Sequence, residues 1–182
     1  MAPGRQRTPA AGSLALVGFM GAGKSCVGMA VASRLRIAFA DTDELIVERL
    51  GPIDRIFAEH GEEYFRSAER EVVLAALSNA CELPCVLSLG GGAVTSADVR
   101  SALGGLQHVV WLEAPPEVLF ARAAGGGRPL ATDEGRFRRL LDERVPLYAE
   151  VATVRVSNDG SRPLSDVVDD VIDGCVAEGR SG

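Results

Sequence analysis

One eight-residue segment constrains this chain more than any other. Gly18-Phe-Met-Gly-Ala-Gly-Lys-Ser25 follows a continuous apolar run, Ser13-Leu-Ala-Leu-Val17, and precedes a stretch in which Val27, Val31 and Leu35 recur at four-residue spacing. An unbroken apolar run of strand length fits a strand buried on both faces of a parallel sheet. The four-residue repeat fits a helix from Lys24 that lays one apolar stripe on that sheet. The segment between them satisfies G-x-x-x-x-G-K-[ST], whose glycines let backbone N–H groups curl around phosphate oxygens while the helix N-terminus turns its positive end toward the same anion. Gly21, Ala22, Gly23, Lys24, Ser25 and Cys26 are therefore the expected phosphate cradle. In such a cradle the lysine reaches the β- and γ-phosphates of a nucleotide, and the Ser25 hydroxyl is offered to Mg²⁺.

The lysine is singular in a second sense: of 19 Lys and Arg residues, only Lys24 is lysine. A bias toward arginine explains the others but not why a lysine persists inside the glycine-rich loop. Arg and Lys are not interchangeable where a compact point charge must enter a tight loop.

The rest of the chain repeats the strand–helix alternation. Strands are expected at Ile37–Ala40, Cys85–Leu89, His108–Leu112 and Ala152–Ser157, which with the first gives a five-stranded parallel sheet flanked by helices, an α/β three-layer sandwich. Between the second and third strands lie a helix over Glu44–Leu50, a break at Gly51-Pro52, a short segment to His60, and a longer helix from Glu62 toward Asn79. These form a helical acceptor-binding segment, about 42–79. A closing helix from about Leu164 repeats apolar residues at Val167, Val168, Val171, Ile172, Cys175 and Val176. Residues 1–12 are expected to be a flexible tail and 13–182 a single domain. Ala123-Ala-Gly-Gly-Gly127 suits a mobile lid over about 122–133.

Composition excludes several classes. The longest apolar runs fall far short of the roughly 20 residues a membrane span requires, and the start holds no apolar stretch of the kind a secretory signal carries. Cys26, Cys81, Cys85 and Cys175 form no disulfide or zinc framework with His60 or His108, so free thiols in a reducing cytoplasm are expected. A net charge of −6 argues against nucleic acid as partner. An anionic ligand must then find a local basic pocket.

Further candidates lie at strand ends, where α/β proteins bind ligands. Asp41-Thr-Asp43 follows the second strand and offers one carboxylate near a metal and one near an accepting hydroxyl; the alternative is that Asp43 caps the helix beginning at Glu44. Arg66 and Glu69 are spaced i, i+3 on one helix face, as an oriented guanidinium or as a solvated ion pair. Gly90-Gly-Gly92 follows the third strand and would admit a ligand close to the backbone. Arg128-Pro-Leu and Arg144-Val-Pro-Leu-Tyr148 complete the set, either arginine being a surface residue if met singly.

In that order, these motifs resemble the shikimate kinase family over about Leu14 to Ile172. The resemblance implies the nucleoside-monophosphate-kinase-like P-loop fold with a closing lid. It also implies transfer of the ATP γ-phosphate to the 3-hydroxyl of shikimate, a step of chorismate and aromatic amino-acid synthesis, by a cytoplasmic monomer. Carried over by position, Lys24 and Ser25 handle phosphate and Mg²⁺, Asp41 reaches the metal, and Asp43 grips the acceptor hydroxyls and is the candidate base. Arg66 and Arg144 form a carboxylate clamp with Glu69 holding Arg66. Gly90, Gly91 and Gly92 supply backbone contacts, and Phe57 and Phe65 the ring-facing wall. Arg128 is the lid arginine, while Arg122 and the Arg162-Pro163 pair flank the adenine. The chain departs from the family in a shorter turn at Gly51-Pro-Ile53 and in Ala131, where a second leucine is expected. Rival acceptors are gluconate or a nucleoside monophosphate, and the rival class is a nucleotide-binding module without catalysis.

Overall fold

The computed structural model describes residues 12–125 and 133–178. Strands β1 (Leu14–Val17), β2 (Ala38–Asp41), β3 (Cys85–Ser88), β4 (His108–Glu113) and β5 (Val154–Ser157) form one all-parallel sheet in the order β2-β3-β1-β4-β5. Around it are helices α1 (Lys24–Leu35), α2 (Thr42–Leu50), α3 (Ile53–Glu82), α4 (Ala97–Leu103), α5 (Pro116–Gly125), α6 (Glu134–Val151) and α7 (Leu164–Glu178). Every strand lies within two residues of its expected place.

The sequence of β1 explains its position. All four of its residues are buried, as a strand must be when helices cover both faces and strands flank both edges. Leu14 pairs with Val86 on one side and His108 on the other. At the sheet edge, β5 alternates instead, with Val154 and Val156 inward and Arg155 and Ser157 outward. The apolar stripe of α1 is Val27, Gly28, Val31 and Ala32, with Leu35 half-buried. The closing helix buries Val167, Val168, Val171, Ile172 and Cys175, as its spacing requires.

Two boundaries differ from expectation. Helix α2 begins at Thr42, and its N-cap is Asp41, whose side chain accepts the Asp43 N–H; Asp43 therefore lies in the first turn and does not cap the helix. Helix α5 continues through Gly125, so the first residues of the glycine stretch are helical and Ala123 is buried one turn beyond Leu119. The break expected near His60 is present: within α3, Gly61 has φ 81° and ψ 175°, which separates a short N-terminal arm from the long helix.

Most of the apolar interior is one cluster on the two faces of the sheet. A second, smaller cluster of Ile46, Ile56, Phe65 and Val72, with Leu45, Leu50, Ile53 and Phe57 against it, holds α2 and the arm of α3 against the long part of that helix.

Candidate active site

The phosphate loop leaves the central strand at its carboxyl end. Gly21 and Gly23 have φ of 82° and 87°, a conformation side chains rarely adopt, and a Cβ at Gly21 would lie 2.5 Å from the Leu119 carbonyl oxygen. Lys24 Nζ donates to the carbonyls of Gly18 at 2.9 Å and Phe19 at 3.2 Å, which folds the side chain back along the loop. The loop is also held from outside. Asn158, just after β5, donates from Nδ2 to Ala22 O at 2.8 Å, and Arg122 Nη1 donates to Asn158 O at 2.7 Å and Gly21 O at 3.3 Å.

Beside the loop, Ser25 Oγ donates to Asp41 Oδ2 at 2.5 Å, while Asp41 Oδ1 accepts the Asp43 N–H at 2.9 Å. One carboxylate thus serves two elements. Thr42, fully buried, accepts the Gly90 N–H through Oγ1 at 2.9 Å and so fixes the end of β3 against the start of α2. Asp43 lies against Gly90 so closely that a Cβ there would overlap Asp43 Oδ1 and come within 3.0 Å of Glu69 Oε1. The sequence elements Asp41-Thr-Asp43, Gly90 and Glu69 converge.

Arg66 Nη1 donates to Glu69 Oε2 at 2.6 Å, and Glu62 Oε1 lies 3.6 Å from Nη2. Glu69 is only 4% exposed, which rules out the solvated ion pair for that partner. Burial pushes its carboxyl above the ordinary value, although the Arg66 charge and hydrogen bond pull it down. The Arg66 guanidinium packs against Gly92, where a Cβ would overlap Nη1.

Arg144 approaches from α6 with 5% exposure and donates to Gly91 O at 3.3 Å, its guanidinium over the Phe19 ring at 5.4 Å. Among the described residues its Nε has no hydrogen-bond partner, and no carboxylate lies within ion-pair distance. Burial disfavours its charge and lowers its pKa. Both arginines line one open cavity of about 540 Å³ with Glu62, Glu63, Thr95 and Glu143. Phe57 and Phe65 stack nearby with ring centroids 4.5 Å apart, Phe57 half-buried and Phe65 buried.

Arg162 and Pro163 lie apart from this cavity, exposed after β5, with Arg162 bound to Ser157 O at 3.2 Å and to Asp170 at 2.8 Å. Arg128 lies outside the described residues, as does Ala131. Asn158, Thr42 and Tyr148, whose hydroxyl donates to Gly91 O at 2.6 Å, join the site without having been assigned a role from the sequence. Thr42 and Tyr148 stand inside motifs already singled out; no sequence signal marks Asn158.

The donors beside the loop suit a hard cation. Ser25 and Asp41 offer only oxygen, and among the described residues no cluster of three His, Cys, Asp or Glu side chains exists that would cage a metal by itself. That is the donor set of an ion held partly by substrate phosphates and water, as Mg²⁺ commonly is.

The chain is similar to known proteins along most of its length. The family model described as shikimate kinase matches residues 20–175. A shikimate kinase of Symbiobacterium thermophilum is 41% identical over 177 residues, covering 93% of this chain and 99% of that protein. One from Mycobacterium avium is 47% identical over 153 residues, covering 81% of this chain and 85% of that protein. Among solved structures, the shikimate kinase from Acinetobacter baumannii in complex with shikimate matches with a TM-score of 0.84 at 33% identity, over 93% of this chain and 95% of that one.

Proposed function

Because this chain belongs to the shikimate kinase family, we propose that it transfers the γ-phosphate of ATP to the 3-hydroxyl of shikimate through the residues gathered around the phosphate loop. The chain is an enzyme, an ATP-dependent phosphotransferase of the aromatic amino-acid pathway. The observation that carries the choice of acceptor is Arg144, a buried guanidinium with an unsatisfied Nε and no carboxylate in reach among the described residues. A buried cation left this way is costly, and a ligand carboxylate relieves the cost by a charge-assisted contact. Arg66, on the same cavity, supplies the second arm of the clamp.

In this mechanism the loop N–H groups of Gly21 to Cys26 and the Lys24 charge hold the triphosphate. Ser25 and Asp41 would hold Mg²⁺, which when bound offsets charge on the transferring phosphoryl group. On the other side, Asp43 orients the accepting hydroxyl and takes up its proton. Deprotonation can lag in a loose phosphoryl transfer, so the orienting contribution dominates. Phe57 and Phe65 face the ring, Arg122 and the Arg162-Pro163 pair flank the adenine, and Arg128 neutralises charge from the lid. Residues about 42–79 form the acceptor-binding segment. The protein acts as a monomer in this reading, and the four free thiols suit the reducing cytoplasm. Among the described residues no helix is long and apolar enough to cross a membrane. The acidic net charge of −6 leaves nucleic acid an unsuitable partner.

An ADP-coupled assay with shikimate, quinate, gluconate and nucleoside monophosphates in parallel tests the proposal. Turnover with shikimate well above the others is expected. Preference for gluconate or a nucleotide would overturn the clamp assignment, and no turnover with any acceptor would favour the non-catalytic module.

A further inference from the structure

We infer that Tyr148 is a positioning residue for the acceptor carboxylate: it pins the Gly91 carbonyl and thereby holds the Gly91–Gly92 peptide between the two clamp arginines, an inference that rests on the proposed clamp.

Tyr148 follows Arg144 by four residues on α6, so the two side chains project from one face of the helix. Both end on the same atom. The phenol donates to Gly91 O at 2.6 Å and Arg144 Nη1 at 3.3 Å, using the two lone pairs of one carbonyl. The shorter bond is the stronger tether, and the guanidinium alone would hold the carbonyl loosely. A trans peptide is planar, so a carbonyl fixed toward α6 fixes the following N–H, that of Gly92, in the opposite direction. Gly92 in turn abuts the Arg66 guanidinium so closely that any side chain there would overlap it. A single peptide unit therefore sets the relation between two cations borne on different helices, and Tyr148 sets the peptide.

The phenol is suited to the task. It is 1% exposed, and burial raises its pKa far above the ordinary value, so the hydroxyl keeps its proton and remains a donor throughout the working range. On the ring's other surroundings lies Trp111, with centroids 5.9 Å apart. Trp111 is the single tryptophan of the chain, so its emission reports on Tyr148 without interference from another indole.

Tyr148→Phe keeps the ring and removes the hydroxyl, with its bond to Gly91 O and its contact with the Arg144 guanidinium. Its KM for shikimate should rise about three- to tenfold, the range expected for loss of one hydrogen bond, while KM for ATP and the melting temperature stay near wild type. A shikimate analogue with a hydroxymethyl group in place of the carboxylate should be handled alike by wild type and variant. A role in packing alone would instead lower the melting temperature and affect both acceptors equally; that result, or an unchanged KM for shikimate, overturns the inference. Arg144→Lys run alongside separates the two claims. If it raises KM for shikimate and Tyr148→Phe does not, only the Tyr148 inference fails; if neither does, the clamp itself falls. Should the variant prove insoluble, wild-type Trp111 emission titrated with shikimate and with the analogue decides: a change specific to the carboxylate supports the inference, and the same response to both overturns it.

Discussion

Asp41 accepts the Ser25 hydroxyl at 2.5 Å across a gap that the sheet order makes structural, since the strands these residues follow or end are separated by β3. The other oxygen of the same carboxylate accepts the Asp43 N–H. The proposed metal side and the proposed acceptor side are therefore tied by one group, and displacement of Asp41 would be felt at both.

Asp41→Asn separates its two jobs. Asparagine caps helices about as well as aspartate, so the variant should melt within a few degrees of wild type. The concentration of Mg²⁺ giving half-maximal rate should rise about tenfold or more, as when other metal-orienting groups are lost. Rate against Mg²⁺ concentration, with a thermal melt, checks this; an unchanged Mg²⁺ requirement would remove Asp41 from the metal side.

Lys24→Arg should lower kcat by about a hundredfold or more, since a planar fork cannot replace a point charge in a closed loop. The present bonds of Nζ to Gly18 O and Phe19 O place the ammonium against the loop's own carbonyls. Steady-state assay suffices, and near-normal turnover would sink the assignment.

Asp43→Asn should abolish phosphorylation of shikimate while ATP binding survives, because Asp43 faces Gly90 and Glu69 and follows a different strand from the phosphate loop. Calorimetric titration with a non-hydrolysable ATP analogue distinguishes the cases. A parallel loss of nucleotide affinity would contradict the separation.

Glu69 carries a pH prediction. Burial raises its folded pKa above the ordinary 4.5, so the folded chain holds this proton more firmly than the unfolded chain does. Its contribution to stability is full below the unfolded value and is lost as pH rises through the folded one. Glu69→Gln does not titrate. Urea melts of both proteins at about pH 4 and about pH 7 should show wild type losing ground to the variant at the higher pH. A stability difference independent of pH would mean that Arg66 fully offsets the burial.

What could be seen in the sequence was whatever is local. The phosphate loop was legible because strand, glycines, lysine and helix are contiguous, and Arg66 with Glu69 because three residues on a helix make neighbours. The Asp41 and Asp43 roles in capping were not separable, since two acids one residue apart satisfy the same start signal, and the choice is made by where β2 ends. The helical turn at Ala123 was masked by the glycines after it, while Leu119 and Ala123 share a buried face that overrides them. Asn158 and Tyr148 act on carbonyls 136 and 57 residues away. Nothing in periodicity or composition names a distant carbonyl, so such partners emerge only from the packed structure.

The small cluster of Ile46, Ile56, Phe65 and Val72 is separate from the main interior, and the arm between its helices runs from Gly51 to Gly61, both at positive φ with open space where a Cβ would stand. Cooperativity in this fold is consequently uneven. With so little apolar area of its own, the lobe made of α2 and that arm forms a foldon whose opening costs less than melting the sheet. Its amides should exchange with deuterium well before those of β1, and an acceptor that bridges Asp43 to Arg144 would stitch the two regions into one exchange unit. Ligand affinity and the opening equilibrium of this lobe are then linked, each bound acceptor adding to the free energy of opening.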